Sequence, residues 1–118
     1  MKRIVARLDI KGAKLIKGIQ FEGVRVIGDP VERAKSYYRD GIDEIIFVDT
    51  VASLYNRESI VEVISKVSKE VFVPLVVGGG IRSISDARLI LRSGADKVAV
   101  NTGAVRRPSL LGEIATTF

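Results

Sequence analysis

Four short apolar runs in this chain each end on residues able to do chemistry: Asp9, Asp49, the triplet Gly78-Gly79-Gly80, and the pair Asn101-Thr102. Carboxylates can give and take protons. Glycines let a backbone approach a ligand closely and offer bare N–H groups to an anion. Asn101-Thr102-Gly103 adds amides and a hydroxyl, and two neighbouring run ends of this kind suit one phosphate group. Taken singly, Asp9 or Asp49 reads as a residue that terminates a strand and caps a turn; the four ends together read as a site. The triplet is not the G-x-G-x-x-G dinucleotide pattern, and no Walker lysine follows it. The chain has no cysteine and no histidine, which excludes disulfides, thiolate and imidazole metal sites, and Ser-His-Asp chemistry. Proton transfer must then rest on Asp, Glu, Lys, Tyr or water. Nothing in this reading calls for a metal or a cofactor.

The elements that must hold these groups alternate regularly. Ile4–Leu8, Ile45–Val48, Val73–Val77 and Lys97–Val100 read as strands, the first two closed by Asp9 and Asp49. Asp29-Pro30-Val31-Glu32 opens a helix, with Asp as N-cap, Pro at the first helical position and Glu32 placed to complete a capping box; Gly41 ends it. Ser59–Val71 sets Ile60, Val63, Ile64 and Val67 on one helical stripe. Ser85-Asp86 opens a helix that stops at Gly94, and Pro108–Thr116 forms the last one. Lys14–Phe21 is extended, but Gly12, Gly18 and Gly23 surround it, so it reads as a structured loop. The order is therefore (βα) four times, with right-handed crossovers making the sheet parallel. Periodicity alone leaves a doubly wound sheet and half of a barrel both open. In either, function gathers at the carboxyl ends of the strands.

Side-chain alternation puts Arg3, Val5 and Arg7 on the face of Asp9 in the first strand. It puts Glu44, Ile46 and Val48 on that face in the second strand, and Lys97, Ala99 and Asn101 in the fourth. Arg3, Glu44 and Lys97 either ring the amino-terminal mouth of a barrel or stand as three solvated charges at strand starts. Arg7 is unusual, because a guanidinium inside a barrel needs an acceptor or an anion.

Length and composition bound the rest. At 118 residues the chain is one domain, and about half of what a closed eight-stranded α/β barrel needs. A hydrophobic content of 47% against 28% charged residues belongs to a globular chain with a core, and only 6% aromatics leaves that core to Val, Ile, Leu and Ala. The net charge of +5 suits a phosphate-bearing small molecule. Its 19 basic residues are scattered among 14 acids, with Lys2-Arg3 and Arg106-Arg107 the adjacent basic pairs, too sparse for a nucleic-acid surface. No apolar stretch is long enough to span a membrane or serve as a signal-peptide core, so a cytoplasmic location is expected, with no membrane partner.

Arg3-Ile4-Val5-Ala6-Arg7-Leu8-Asp9, Leu15-Ile16-Lys17-Gly18, Gly28-Asp29-Pro30, Val77-Gly78-Gly79-Gly80-Ile81-Arg82, Gly94-Ala95-Asp96-Lys97-Val98 and Val100-Asn101-Thr102 occur in that order. Together they resemble the amino-terminal half of the cyclase subunit of imidazole glycerol phosphate synthase, across essentially the whole chain. The sister isomerase of histidine biosynthesis shares the glycine triplet and a first-strand aspartate, but Lys17-Gly18 and Gly94–Val98 fit the cyclase better. The resemblance implies a single (βα)4 half-barrel domain over residues 1–118, half of a (βα)8 TIM barrel with four parallel strands each followed by a helix. It implies a lyase that closes an imidazole ring with ammonia from a glutaminase subunit, acting on a bis-phosphorylated ribulosyl precursor. Imidazole glycerol phosphate and an aminoimidazole carboxamide ribotide are the products. By the same resemblance Asp9 is the acid/base, Lys17 sits on a mobile loop over the site, and Gly80, Asn101 and Thr102 hold one phosphate. Arg3, Glu44 and Lys97 become a gate at the mouth facing the glutaminase, with Asp96 an interface acid. Asp49 and Arg7 are assigned to the substrate or the channel.

Three departures qualify that match. Strands five to eight, the second catalytic aspartate and the second phosphate site all lie outside a chain that stops at Phe118. Arg7 stands where the family usually has cysteine. Thr50-Val51 and Val76 look like residues of cyclase-like relatives that amidate surface-sugar precursors. A half barrel also leaves open sheet edges and exposes Val5, Ile46, Val48 and Val76. At about 25 cal/mol per Å2 these represent several kcal/mol of apolar surface in water. Self-association, or docking to a carboxyl-terminal half barrel, is expected, and this chain alone is expected to be inactive. The competing readings are a non-catalytic half-barrel module that oligomerises and binds phosphate, and the phosphoribosyl isomerase.

Overall fold

The computed structural model describes residues 2–11, 14–19, 23–49, 57–79, 81, 83–100 and 109–118, with side chains described for 2–10, 29–49, 60–79, 81, 83–100 and 109–118. Strands β1 (Val5–Lys11), β2 (Lys14–Ile19), β3 (Gly23–Gly28), β4 (Glu44–Asp49), β5 (Leu75–Gly78) and β6 (Lys97–Ala99) form one sheet in the order β3-β2-β1-β4-β5-β6. Helices α1 (Pro30–Arg39), α2 (Arg57–Ser68), α3 (Ile84–Ser93) and α4 (Ser109–Thr117) follow β3, β4, β5 and β6. β1, β4, β5 and β6 pair in parallel, and a helix lies between each and the next.

Strand parity decides between the two architectures. Leu8, Ile10, Ile45, Phe47, Leu75 and Val77 point to one face and are buried there against Ala34 of α1, Ile60, Val63, Ile64 and Val67 of α2, and Ile90 of α3. Ile81, Ala87, Leu110 and Ile114 extend this layer, with Val98 packed against both clusters, so α4 joins the same side. All the described helices on one face, and parallel strands added in one direction without a reversal, define half of a (βα)8 barrel. A doubly wound sheet needs a reversal and helices on both faces.

Local chemistry explains the helix ends. Asp29 caps α1 by accepting from the Val31 N–H at 2.9 Å, with Pro30 as the first helical residue. Glu32 turns to Lys35, 3.6 Å away. Ser83 caps α3 through the Asp86 N–H at 3.2 Å, one to two residues earlier than the sequence suggested. The extended piece at Lys14–Phe21 is a correction: β2 and β3 form an antiparallel hairpin, with Gly18 opposite Val24 and Gly23 opposite Ile19. Glycine weakens a strand without forbidding its ladder, and the alternating Val24-Arg25-Val26 supplies the partner. β2 pairs with β1 at Ile10 and Lys11, so β1 runs on beyond Asp9 instead of closing there.

Candidate functional site

Parallel register lays the helix-free face out in rows. Arg7, Ile46, Val76 and Lys97 lie across one row, and Asp9, Val48, Gly78 and Ala99 across the next, nearer the carboxyl ends. Residues two apart on a strand share a face, so Arg7 reaches its neighbour: its Nε donates to Asp9 Oδ1 at 3.0 Å. The side chains are 66% and 40% exposed, so solvent screens the pair and its worth is about 1 kcal/mol or less. It orients the carboxylate more than it stabilises the fold. A cleft of about 340 Å3 adjoins Arg7 and is lined further by Val48, Gly78, Gly79, Ile81, Ala99 and Val100. Gly79 has φ +90, and a Cβ there would run into the backbone carbonyl of Asp49, so only glycine lets this turn press against the end of β4.

Asp49 itself is turned away. In β4 half-buried and buried positions alternate, and Asp49 shares the buried parity of Ile45 and Phe47 on the helix side. The two carboxylates read together from the sequence therefore do not meet in one site. Val76 is a second correction: it is buried at 8% exposure, because Ile46 and Lys97 flank it in register, whereas Val5 on the outer parallel strand is 42% exposed.

At the amino-terminal mouth, the Lys97 ammonium meets Glu44 Oε1 at 3.1 Å, spanning β5. Arg3 is exposed and makes no ion pair with them among the described residues. Asp96 serves the backbone of the neighbouring strand. Its Oδ2 accepts the Leu75 N–H at 2.8 Å while its own N–H donates to the Leu75 carbonyl at 2.8 Å. Asp43 is its counterpart, and sequence reasoning missed it. Asp43 Oδ2 accepts the Ile4 N–H at 2.7 Å, and the Asp43 N–H donates to the Ile4 carbonyl at 3.0 Å. The signal was present as a repeat, Gly41-Ile42-Asp43-Glu44 and Gly94-Ala95-Asp96-Lys97. Each copy places a clamp and then one member of the Glu44–Lys97 pair. Lys17 lies in β2 with its backbone opposite Arg25, and its side chain is outside those described. Gly80, Asn101 and Thr102 also lie outside the described residues, as do Thr50 and Val51.

No helix among the described residues is long and apolar enough to cross a membrane. Comparison with known proteins gives a consistent picture. The histidine biosynthesis protein family matches residues 3–118. The imidazole glycerol phosphate synthase subunit HisF of Legionella pneumophila is 54% identical over 116 residues, covering 98% of this chain and 55% of the relative. The protein of the same name from Pyrococcus furiosus is 50% identical over 114 residues, covering 97% of this chain and 45% of the relative. That from Solibacter usitatus is 53% identical over 114 residues, again 97% of this chain and 45% of the relative. The chain thus spans about half the length of the curated relatives it matches, consistent with an amino-terminal HisF half. On its sequence and on its one-sided array of helices, the chain belongs to the histidine biosynthesis protein family.

Proposed function

We propose that this chain supplies the amino-terminal half of an ammonia-dependent cyclase site of the imidazole glycerol phosphate synthase type, a lyase of cytoplasmic histidine biosynthesis. The observation that carries this reading is the placement of Asp9. It stands on the helix-free face toward the carboxyl end of β1, in one row with the Gly78 turn and oriented by Arg7. Asp9 transfers protons in the lyase and ring-closing steps, and Lys17 reaches over the bound substrate. Gly80, Asn101 and Thr102 take one of the two substrate phosphates through backbone N–H groups and a hydroxyl. Residues 1–118 act as one half-barrel domain. A carboxyl-terminal half, continuous with this chain or separate, brings the second carboxylate and the second phosphate site. The glutaminase docks at the mouth, where Arg3, Asp96 and the Glu44–Lys97 pair face it, and delivers ammonia through the lumen.

The test is complementation. Adding a carboxyl-terminal half barrel should restore turnover with ammonia, and Asp9→Asn should lower it by about 10²–10⁴-fold. Turnover that survives Asp9→Asn removes Asp9 as the acid/base. Arg7 favours a second reading, a cyclase-like relative that amidates a surface-sugar precursor, since a guanidinium in the lumen alters what can bind above it. Both readings require the glutaminase; the isomerase reading does not. A non-catalytic module would bind phosphate in a manner lost in Thr102→Val and would show no turnover with any partner.

A further inference from the structure

We propose that Arg7 is an exchangeable clasp: it holds Asp9 through Nε and presents its two terminal amino groups to an oxyanion of the substrate, a phosphate or carboxylate, inside the lumen. Three observations converge on it. The ion pair uses one guanidinium atom, Nε, and among the described residues the terminal nitrogens have no other partner. A guanidinium carries five N–H donors in a planar fork, so its outer pair can engage a second anion before Nε leaves the first. The row beside Asp9 holds only Val48, Gly78 and Ala99, which leaves room, and the cleft of about 340 Å3 opens there against the Gly78-Gly79 turn.

The electrostatics of the face point to Arg7 and not to Lys97. Lys97 shares the row of Arg7 but turns to Glu44, so each cation already has one acid, Arg7 toward the carboxyl ends and Lys97 toward the mouth. Only Arg7 adjoins the cleft. Its pair with Asp9 is exposed on both sides and therefore weak. An oxyanion that engages the fork through two parallel bonds competes readily with such a contact. The clasp then works as a specificity device. A ligand with an anionic group at this depth draws the guanidinium outward and sets the Asp9 carboxylate, whereas a ligand without one leaves Asp9 bound to Arg7. This consequence rests on the reading of Asp9 as the proton-transfer group, but anion binding itself can be measured without turnover.

The experiment follows the Arg7 Nε–H resonance, and the Gly78 and Gly79 amides, while the 118-residue chain is titrated with inorganic phosphate and, separately, with acetate. A saturable shift is expected at Arg7 and at the two amides. A response to phosphate alone assigns the anion as a phosphoryl group, and a response to both admits a carboxylate. Arg7→Gln should weaken the response of the two amides about tenfold or more. Arg7→Lys, which keeps the charge but not the fork, should fall between. Thr102→Val should leave the Arg7 response intact, which separates this site from the phosphate site at the strand ends. An Arg7 resonance that neither anion moves, or an amide response that Arg7→Gln leaves unchanged, overturns the proposal.

Discussion

Gly79 and Gly41 have nearly the same backbone torsion, φ +90 and φ +91, in different surroundings. At Gly41 a Cβ would meet nothing within 4 Å, so Gly41→Ala carries only the left-handed strain of about 1 kcal/mol. At Gly79 the added carbon also collides with the Asp49 backbone, and Gly79→Ala is expected to cost about 2–3 kcal/mol or more. Urea midpoints of the two variants check this: the Gly79 variant should fall well below the Gly41 variant, with unchanged slopes. Much at this scale could be read from the sequence. A period of two along β1 placed Arg7 and Asp9 together, and the requirement that Arg7 find an acceptor is met by its neighbour two residues on. The same period puts Asp49 on the opposite side from Glu44, Ile46 and Val48, so its separation from Asp9 was available too. Its position at a strand end outweighed its parity. Val76 was not legible, because its burial depends on which strands flank it.

The two aspartate clamps act on whole strands. Asp43 fastens the start of β4 to the residue ahead of β1, and Asp96 fastens the start of β6 to that of β5. Each joins neighbours at one level and so helps set the parallel register. Asp96→Ala leaves the Leu75 N–H without its acceptor and should cost about 1–3 kcal/mol, with faster hydrogen exchange at the Leu75 amide. Asp96→Asn keeps an acceptor oxygen and should retain most of that protection. A second tie runs between helices: Lys35 of α1 reaches Glu70 beyond the end of α2 at 3.0 Å. The hydrogen bond to Glu70, helped by the charges of Glu70 and Glu32, raises the Lys35 ammonium above its ordinary value of 10.5. Its contribution is therefore fully present below the unfolded value and is lost as pH rises through the raised folded value. The stability difference between wild type and Lys35→Met should be level up to about pH 10 and should vanish above the raised value. The helices themselves were legible from stripes such as Ile60, Val63, Ile64 and Val67. The hairpin was not, since Gly18 and Gly23 argue for a loop until the two arms are seen to pair.

For the molecule as a whole, the direction of strand addition matters most. Helices cover one face, and the other carries Val5, Ile46 and Val48 with only partial cover. β6 is the last strand of the sheet at one end. The chain is therefore expected to associate with itself, or with a carboxyl-terminal half, at micromolar concentration, as sedimentation would show. A well-folded monomer under those conditions contradicts this. The half-barrel could be argued from the alternation of elements and the length, but the choice over a doubly wound sheet needed the common parity of the helix contacts.

The hairpin then gains a significance beyond its own few residues. Because β2 occupies β1 only at Ile10 and Lys11, the pairing divides that strand lengthwise, with Val5 to Asp9 outside the β2 ladder. A strand arriving on that side can advance until it abuts β2 and no further, so the hairpin is a buffer stop that forbids sliding by a further residue pair. Even a partner of foreign sequence would be barred from pairing with β1 beyond Asp9.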